Sequence, residues 1–414
     1  MKKTGYITLL KNKTFLKVWL SQLISLVTAY MLNFVLIDRI YTATGSTIAV
    51  ALFWGFHILP SATLGPFVGV FVDYLSKKRI FVISSFLQVL VVLLYLGVGQ
   101  KIWPLYTIVL LYSFCDEFFN PAVGAFLPSI VKKQELPVAN SLFLFTSQFS
   151  TIFGFLAGGL ILKFSPFVWL PFGLASFLLL AAVWLTSSIP QDKPALARKP
   201  QAGLKDFWQD LIEGYQFMRQ ESKVLFPILL LVGLQVIGGI VMILLPSISQ
   251  DHLGIKFSDS SFMIVIPGIL GGILGVVMAE KLLKKYLKRF LIIFGLYALG
   301  LATLVLTVIP WLVKSPGYFS PLFSLVMGLA AVTIFVPLKT LVQENTPFDV
   351  RGRVFGTLSM LVTLAAAVPV LIATTLVDIL GISSVLFIMG AGLILLASYS
   401  ARGKYGIISN NHRF

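Results

Sequence analysis

Two adjacent carboxylates, Asp116 and Glu117, lie near the middle of an apolar run that begins near Trp103 and ends near Val131. A charge in such an apolar setting is costly, and residues that carry one there usually serve a function. Two close carboxylates cannot easily both ionise where the dielectric is low. The pair therefore predicts a group that binds and releases a proton in competition with a cationic or amphiphilic ligand.

Helical spacing places further polar residues beside this pair. Residues four apart share one face of an α-helix, so Tyr112, Asp116 and Asn120 form one row, and Glu117 lies in the next row with Ser113. This arrangement predicts a helix with one polar face. The alternative is that one acid faces a neighbouring helix and is neutralised by a structural hydrogen bond.

The composition indicates where such a helix lies. Hydrophobic residues make up 57% of the 414 residues and charged residues only 12%, which leaves too little polar surface for a water-soluble protein. A helix needs about 20 apolar residues to cross the hydrocarbon core. Twelve segments satisfy this requirement, at residues 16–37, 48–72, 80–100, 103–130, 138–162, 167–188, 224–248, 260–282, 289–312, 318–343, 353–377 and 382–400. We therefore predict an all-α integral membrane protein with twelve transmembrane helices, the first being a retained helix and not a signal peptide.

The net charge of +16 is distributed unevenly over the connecting segments. Lysine and arginine concentrate in alternate loops, for example at Lys77, Lys78 and Arg79, and the opposite loops hold few of them. An excess of basic residues marks the cytoplasmic side of a membrane protein. The pattern predicts that both termini are cytoplasmic, and it explains the basic character of the chain without a nucleic-acid partner.

The two halves of the chain resemble each other in sequence. A shift of 207 residues places Asp73 on Glu280 and the pair Lys77–Lys78 on Lys284–Lys285. Two similar halves that rock about a site at the bilayer midplane are what a transporter requires. The repeat therefore predicts two pseudo-symmetric six-helix bundles.

A long polar stretch separates the two predicted bundles. Its first part is rich in Pro and Lys, and its second part, 204–219, has the pattern of an amphipathic helix lying on the membrane face. We therefore expect an N-terminal bundle over 1–189, a cytoplasmic linker over 190–223 and a C-terminal bundle over 224–414.

The stretch GPFVGVFVDYLSKKR, from Gly65 to Arg79, resembles the loop motif of the major facilitator superfamily, usually written GxxxDRxGRR. Gly65 and Gly69 match its glycines, and Asp73 matches its acid. The stretches FFNPAVGAFLPSIVKKQELPVANSL and QENTPFDVRGRVFG are similar to those that follow the fourth and tenth spans of twelve-span exporters of macrolides, siderophores and lysophospholipids. The resemblance covers nearly the whole chain.

This resemblance implies that the fourth span lines a central cavity, so we expect Asp116 and Glu117 to point into it. Polar residues of other spans are expected to share the cavity. The predicted substrate and proton site consists of Asp116, Glu117, Asn120, Tyr112, Gln22, Ser25, Asn33 and Gln235.

The resemblance also implies a gate at the cytoplasmic face. Gly65 and Gly69 are one turn apart and allow the second span to approach a neighbouring helix closely. Asp73 is expected to pair with the basic cluster or with a helix of the other half and to hold the cytoplasmic side closed. Ordinary membrane-surface charge is the alternative. The predicted gating residues are Gly65, Gly69, Asp73, Lys77, Lys78, Arg79, Glu280, Lys284, Lys285, Arg351 and Arg353.

Other polar residues within the spans are interpreted as structural. Asp38 and Arg39 are expected to form an interfacial pair near the outer end of the first span. His57 is expected to pack with a hydrogen bond, and the long side chain of Lys339 to reach the cytoplasmic interface.

The residue inventory favours a transporter over an enzyme. Three histidines and one cysteine supply no metal site, and we find no nucleophile motif or phosphate-binding loop, so no cofactor is expected. We expect a monomeric secondary active transporter of the bacterial inner membrane that works by alternating access. Proton-coupled export of a drug-like or siderophore-like amphiphile is the first interpretation, and movement of lysophospholipid or another lipid is the alternative. Its expected partners are the lipid bilayer, this substrate and protons.

Overall fold

The computed structural model describes residues 9–97, 101–132, 134–190, 204–347 and 351–402. Long helices account for most of these residues, and no strand occurs among them. The helices are α1 (Lys13–Thr44), α2 (Thr47–Tyr74), α3 (Lys77–Gly97), α4 (Trp103–Ile130), α5 (Leu136–Phe164), α6 (Leu170–Ser187), α7 (Leu204–Gln220), α8 (Ser222–Ser247), α9 (Ile266–Lys285), α10 (Lys288–Leu312), α11 (Ser320–Asn345), α12 (Arg351–Leu380) and α13 (Ile382–Arg402).

The predicted spans coincide with twelve of these helices. The remaining helix, α7, is the amphipathic segment that precedes the seventh predicted span. Within the described residues, ten helices are long and apolar enough to cross a membrane. Helices α4 and α12 occupy the two remaining predicted positions. The prediction of an all-α membrane protein is therefore confirmed.

The first long helix is fixed at both ends by local backbone chemistry. The Oδ1 atom of Asn12 accepts hydrogen bonds from the backbone N–H groups of Thr14 and Phe15, at 3.1 and 3.2 Å, which caps the start of α1. Its Nδ2 atom donates to the carbonyl oxygen of Ile130 at 2.7 Å. Gly45, with φ of 62°, ends the helix in the left-handed conformation that glycine adopts without strain. Asn12 thus caps α1 and also joins its start to the end of α4.

Contacts between Cα atoms divide the chain into two units. Unit 1 consists of Met1–Gly45 and Leu52–Gln201. In this unit α1 packs on α5 and α6, and α3 packs on α4 and α6. Gly158 of α5 faces α1 so closely that an added Cβ atom would lie 3.0 Å from the Cβ atom of Phe34. Small residues therefore set the spacing of α1 and α5.

Unit 2 consists of Ser46–Ala51 and Ala202–Phe414. Helix α10 packs on α11 and α13, and α8 packs on α11 and α12. The closest approach is between α9 and α11, because a Cβ atom added at Gly328 would overlap the carbonyl oxygen of Gly268 and lie 2.8 Å from its carbonyl carbon. These two helices therefore meet backbone against backbone.

The start of α2 is held by a carboxylate from the far end of the chain. Asp378, near the end of α12, accepts hydrogen bonds from the Ser46 hydroxyl at 2.6 Å and from the Thr47 hydroxyl and N–H at 2.7 and 3.0 Å. The Thr47 hydroxyl also lies 3.0 Å from the carbonyl oxygen of Thr374. A negative charge at a helix start satisfies free N–H groups and complements the helix dipole. Asp378 therefore acts as a cap from a distant part of the sequence for the start of α2, next to Ser46 and Thr47.

Removal of this cap is expected to destabilise the protein. Asp378→Ala deletes both carboxylate oxygens that accept from Ser46 and Thr47, and the loss of an N-cap costs about 1 kcal/mol. Asp378→Asn keeps an acceptor at Oδ1 and is the matched control. Thermal unfolding of the purified protein should show a lower midpoint for the alanine variant and a smaller shift for the asparagine variant. An unchanged midpoint in Asp378→Ala would show that the cap contributes no stability.

Candidate functional site

Asp116 lies in the middle of α4 and is partly buried. The Nε2 atom of Gln88, on α3, donates a hydrogen bond to its Oδ1 atom at 3.2 Å. Gln88 is fully buried, with an exposed fraction of 0%. The acid thus faces the interior of unit 1, where its described partner belongs to the third span.

Other polar atoms around Gln88 and α4 are buried without a protein partner. The oxygens that make no hydrogen bond within the described residues include Gln88 Oε1, Ser85 Oγ and Gln22 Oε1. Tyr112 of α4 and Ser25 of α1 are neighbours, and Asp116 is also close to the Tyr112 ring. Buried polar groups are normally hydrogen-bonded, so a group of unpaired acceptors marks a special site. Asp116 and Tyr112 of α4, Gln88 of α3 and Ser25 of α1 thus form a chain of neighbouring polar side chains, which we call the Asp116 cluster.

Glu117 has different surroundings. It is partly buried, and its side chain is hydrogen-bonded to Ser61 of α2. Because adjacent residues of a helix lie about 100° apart, the two carboxylates face different helices. Asp116 faces α3 and Glu117 faces α2, so each acid has its own neutral polar partner.

The remaining predicted site residues are only partly brought together. Ser25 of α1 takes part in the Asp116 cluster through Tyr112, and Gln22 is buried one turn before it on the same helix. Asn33 is also buried on α1, but it is two helical turns beyond Ser25. Gln235 is an exposed residue of α8, in unit 2. The side chain of Asn120 lies outside the described part of the structure.

Sequence reasoning missed the contribution of α3. Gln88 and Ser85 were not predicted as site residues, although they interrupt the apolar segment KKRIFVISSFLQVLVVLLYLG. A buried amide within a membrane span is costly unless it has a partner. The presence of Gln88 in an apolar span could therefore have indicated a polar partner on another span.

His57 of α2 contacts a different face of α4 from the one that carries Asp116. The Nδ1 atom of His57 is 2.8 Å from the hydroxyl of Ser113, and its ring stacks on Phe53 with the centroids 6.3 Å apart. These contacts fit the interpretation of His57 as a hydrogen-bonded packing residue. They also connect α2 with the second polar row of α4.

The other polar residues of the spans have local partners. Asp38 is hydrogen-bonded to Thr42, one turn further along α1, and Arg39 lies near Tyr95 of α3. The ammonium group of Lys339 is 5.8 Å from the centroid of the Phe335 ring.

The predicted gating residues are described only in part. The hydroxyl of Ser76 accepts a hydrogen bond from the N–H of Arg79 at 3.4 Å and helps to cap α3. Lys77 is buried, and Lys284 and Lys285 are exposed. For Gly65, Gly69, Asp73, Glu280, Arg351 and Arg353 the structure describes the helical backbone alone.

The described residues contain no group of three or more His, Cys, Asp or Glu side chains that could hold a metal ion. Polar groups are instead concentrated inside long apolar helices. Such a fold and such a polar cluster define a multi-pass membrane protein of the transporter class.

The chain belongs to the Major Facilitator Superfamily, whose family model matches residues 18–370. This superfamily consists of transporters and not of enzymes. The chain is 25% identical over 398 residues to macrolide efflux protein A of Streptococcus pyogenes, and the match covers 92% of this chain and 94% of that protein. It is 27% identical over 362 residues to the MFS-type transporter YfiS of Bacillus subtilis (strain 168), covering 84% of this chain and 82% of YfiS.

Solved structures show the same fold. The nucleoside transporter NupG superposes with a TM-score of 0.71 at 12% identity, covering 93% of this chain and 98% of NupG. A bacterial homologue of the iron transporter ferroportin superposes with a TM-score of 0.69 at 17% identity, covering 94% of this chain and 98% of that protein. At these identities the likeness concerns the fold and not the substrate.

Proposed function

We propose that this transporter exports an amphiphilic small molecule in exchange for protons, by alternating access. The observation that carries the proposal is the carboxylate of Asp116 at the middle of α4, bonded to Gln88, whose own Oε1 atom is buried without a partner in the described residues. A buried acid in a transporter span is a common proton carrier. Support for export comes from the similarity to macrolide efflux protein A over nearly the whole chain.

We assign the two acids different roles within this function. Asp116 faces the interior of unit 1 through Gln88, and it exchanges the proton. Glu117, bonded to Ser61 of α2, is the less enclosed polar group, and it attracts the basic or polar end of the substrate. Exchange requires that proton binding at Asp116 weakens substrate binding at Glu117, and adjacency on one helix provides that electrostatic coupling.

The proposed setting is the inner membrane of a bacterium, with both termini cytoplasmic and one chain as the functional unit. The concentration of basic residues in alternate loops supports this orientation.

Transport by the purified protein in liposomes tests the proposal. A fluorescent amphiphilic cation should move against its own concentration gradient when a pH gradient is imposed, and this movement should stop when a protonophore collapses the gradient. Liposomes without protein provide the control. A rate of cation transport that is the same with and without the pH gradient would contradict proton coupling. Movement of labelled lysophospholipid, without movement of the cation, would instead identify a lipid transporter.

A further inference from the structure

In the hydrogen bond between Gln88 and Asp116 the amide uses its nitrogen and not its oxygen. Gln88 Nε2 donates to Asp116 Oδ1 at 3.2 Å, and this donor suits an ionised carboxylate, which only accepts hydrogen bonds. Gln88 Oε1 is buried and makes no hydrogen bond within the described residues. This oxygen is the acceptor that a protonated carboxyl group requires, because a protonated carboxyl carries an O–H donor.

A rotation of the amide by half a turn exchanges these two atoms. The nitrogen and oxygen of a glutamine amide occupy nearly equivalent positions, so the rotation needs no movement of the helix. We propose that Gln88 is the positioning residue for Asp116, and that its amide turns over to donate to the carboxylate and to accept from the carboxyl group. This inference rests on the proposed function, because it assigns a partner to the proposed proton carrier.

The other groups around Asp116 do not provide such a partner. Glu117 is the charged neighbour that acts on it, but it is bonded to Ser61 on another helix. Tyr112 and Cys115 also face it from α4. Tyr95 of α3 lies near Tyr112 and near Arg39 of α1, and the charge on α5 is Lys163 in its last turn.

Gln88→Met tests the inference, because methionine has a similar length and neither donates nor accepts strongly. Ser84→Ala is the matched control. Ser84 is one turn away on α3 and is also buried, but its hydroxyl donates to carbonyl oxygens of its own helix, at 2.6 and 3.4 Å. The infrared absorbance of the protonated carboxyl group is measured against pH in the purified protein, and the band that disappears in Asp116→Asn belongs to Asp116.

Gln88→Met is expected to move the midpoint of this titration by about one pH unit, because the bond from the amide to the charged carboxylate is stronger than the bond from the neutral carboxyl group and the two losses do not cancel. Ser84→Ala should leave it within about 0.3 pH units of the parent. If Gln88→Met does not fold, Gln88→Asn decides, because its amide keeps the polarity of the site but is one methylene shorter and does not reach the Oδ1 atom of Asp116. A midpoint that is unchanged in the folded Gln88 variant overturns the inference.

The same measurement separates this inference from the proposed function. If the titration midpoint shifts in the Gln88 variant but transport does not depend on the pH gradient, the positioning role holds and proton coupling fails. If transport follows the pH gradient but the band does not shift, proton coupling holds and Gln88 has no role in it.

Discussion

Asp116→Asn is expected to abolish gradient-driven transport while leaving the fold intact. Asparagine has the shape of aspartate and can still bond to the Gln88 amide at the position where Asp116 now accepts. It cannot alternate between a charged and a neutral form, so a pH gradient no longer drives the cycle. Accumulation of the amphiphilic cation should fall to the level of liposomes without protein, and downhill exchange of substrate should persist.

Glu117→Gln is the matched comparison on the same helix. This variant keeps a polar partner for Ser61 and leaves the hydrogen bond between Gln88 and Asp116 in place. It is expected to raise the substrate concentration needed for half-maximal transport while gradient-driven movement continues. Full gradient-driven transport by Asp116→Asn would show that this acid is structural, and a complete loss in Glu117→Gln alone would exchange the two roles.

Gly328→Ala is expected to have the largest effect on stability. The added methyl group would overlap the carbonyl oxygen of Gly268 and lie 2.8 Å from its carbonyl carbon and 3.0 Å from the backbone nitrogen of Gly272. Backbone atoms cannot rotate away as a side chain can, so α9 and α11 must separate. Overpacking of this kind costs about 2 kcal/mol, occasionally more.

Gly392→Ala is the control, since nothing lies within 4 Å of a Cβ atom added at Gly392 of α13. Alanine favours a helix over glycine by about 0.5 kcal/mol or slightly more, so this variant should unfold at the parent temperature or above it. The two substitutions are chemically identical and are predicted to act in opposite directions. Equal unfolding midpoints for Gly328→Ala and the parent would mean that α9 and α11 are not in backbone contact.

The positions of the helices were predictable because they depend on local sequence. A span must be apolar over a fixed length and must satisfy its own backbone groups, so composition alone locates it. The spacing of four residues also predicted that Tyr112 and Asp116 share one face of α4.

The partners of these residues were not predictable, since they depend on how helices rotate against each other. Gln88 is 28 residues from Asp116, and only the packing of α3 on α4 brings the amide to the acid. The pairing of Asp116 with Glu117 in sequence suggested one shared site, whereas the helix directs them to α3 and α2. The backbone contact at Gly328 likewise depends on the crossing of α9 and α11.

The cap of α2 has a consequence for biosynthesis. Asp378 follows Thr47 by 331 residues, so the ribosome completes the first turn of α2 long before it makes the carboxylate that caps this turn. Until α12 is inserted, the first N–H groups of α2 must rely on the hydroxyls of Ser46 and Thr47 or on water. A fragment without α12 would lack these acceptors, so a helix of the second half of the chain completes the start of one of the first helices.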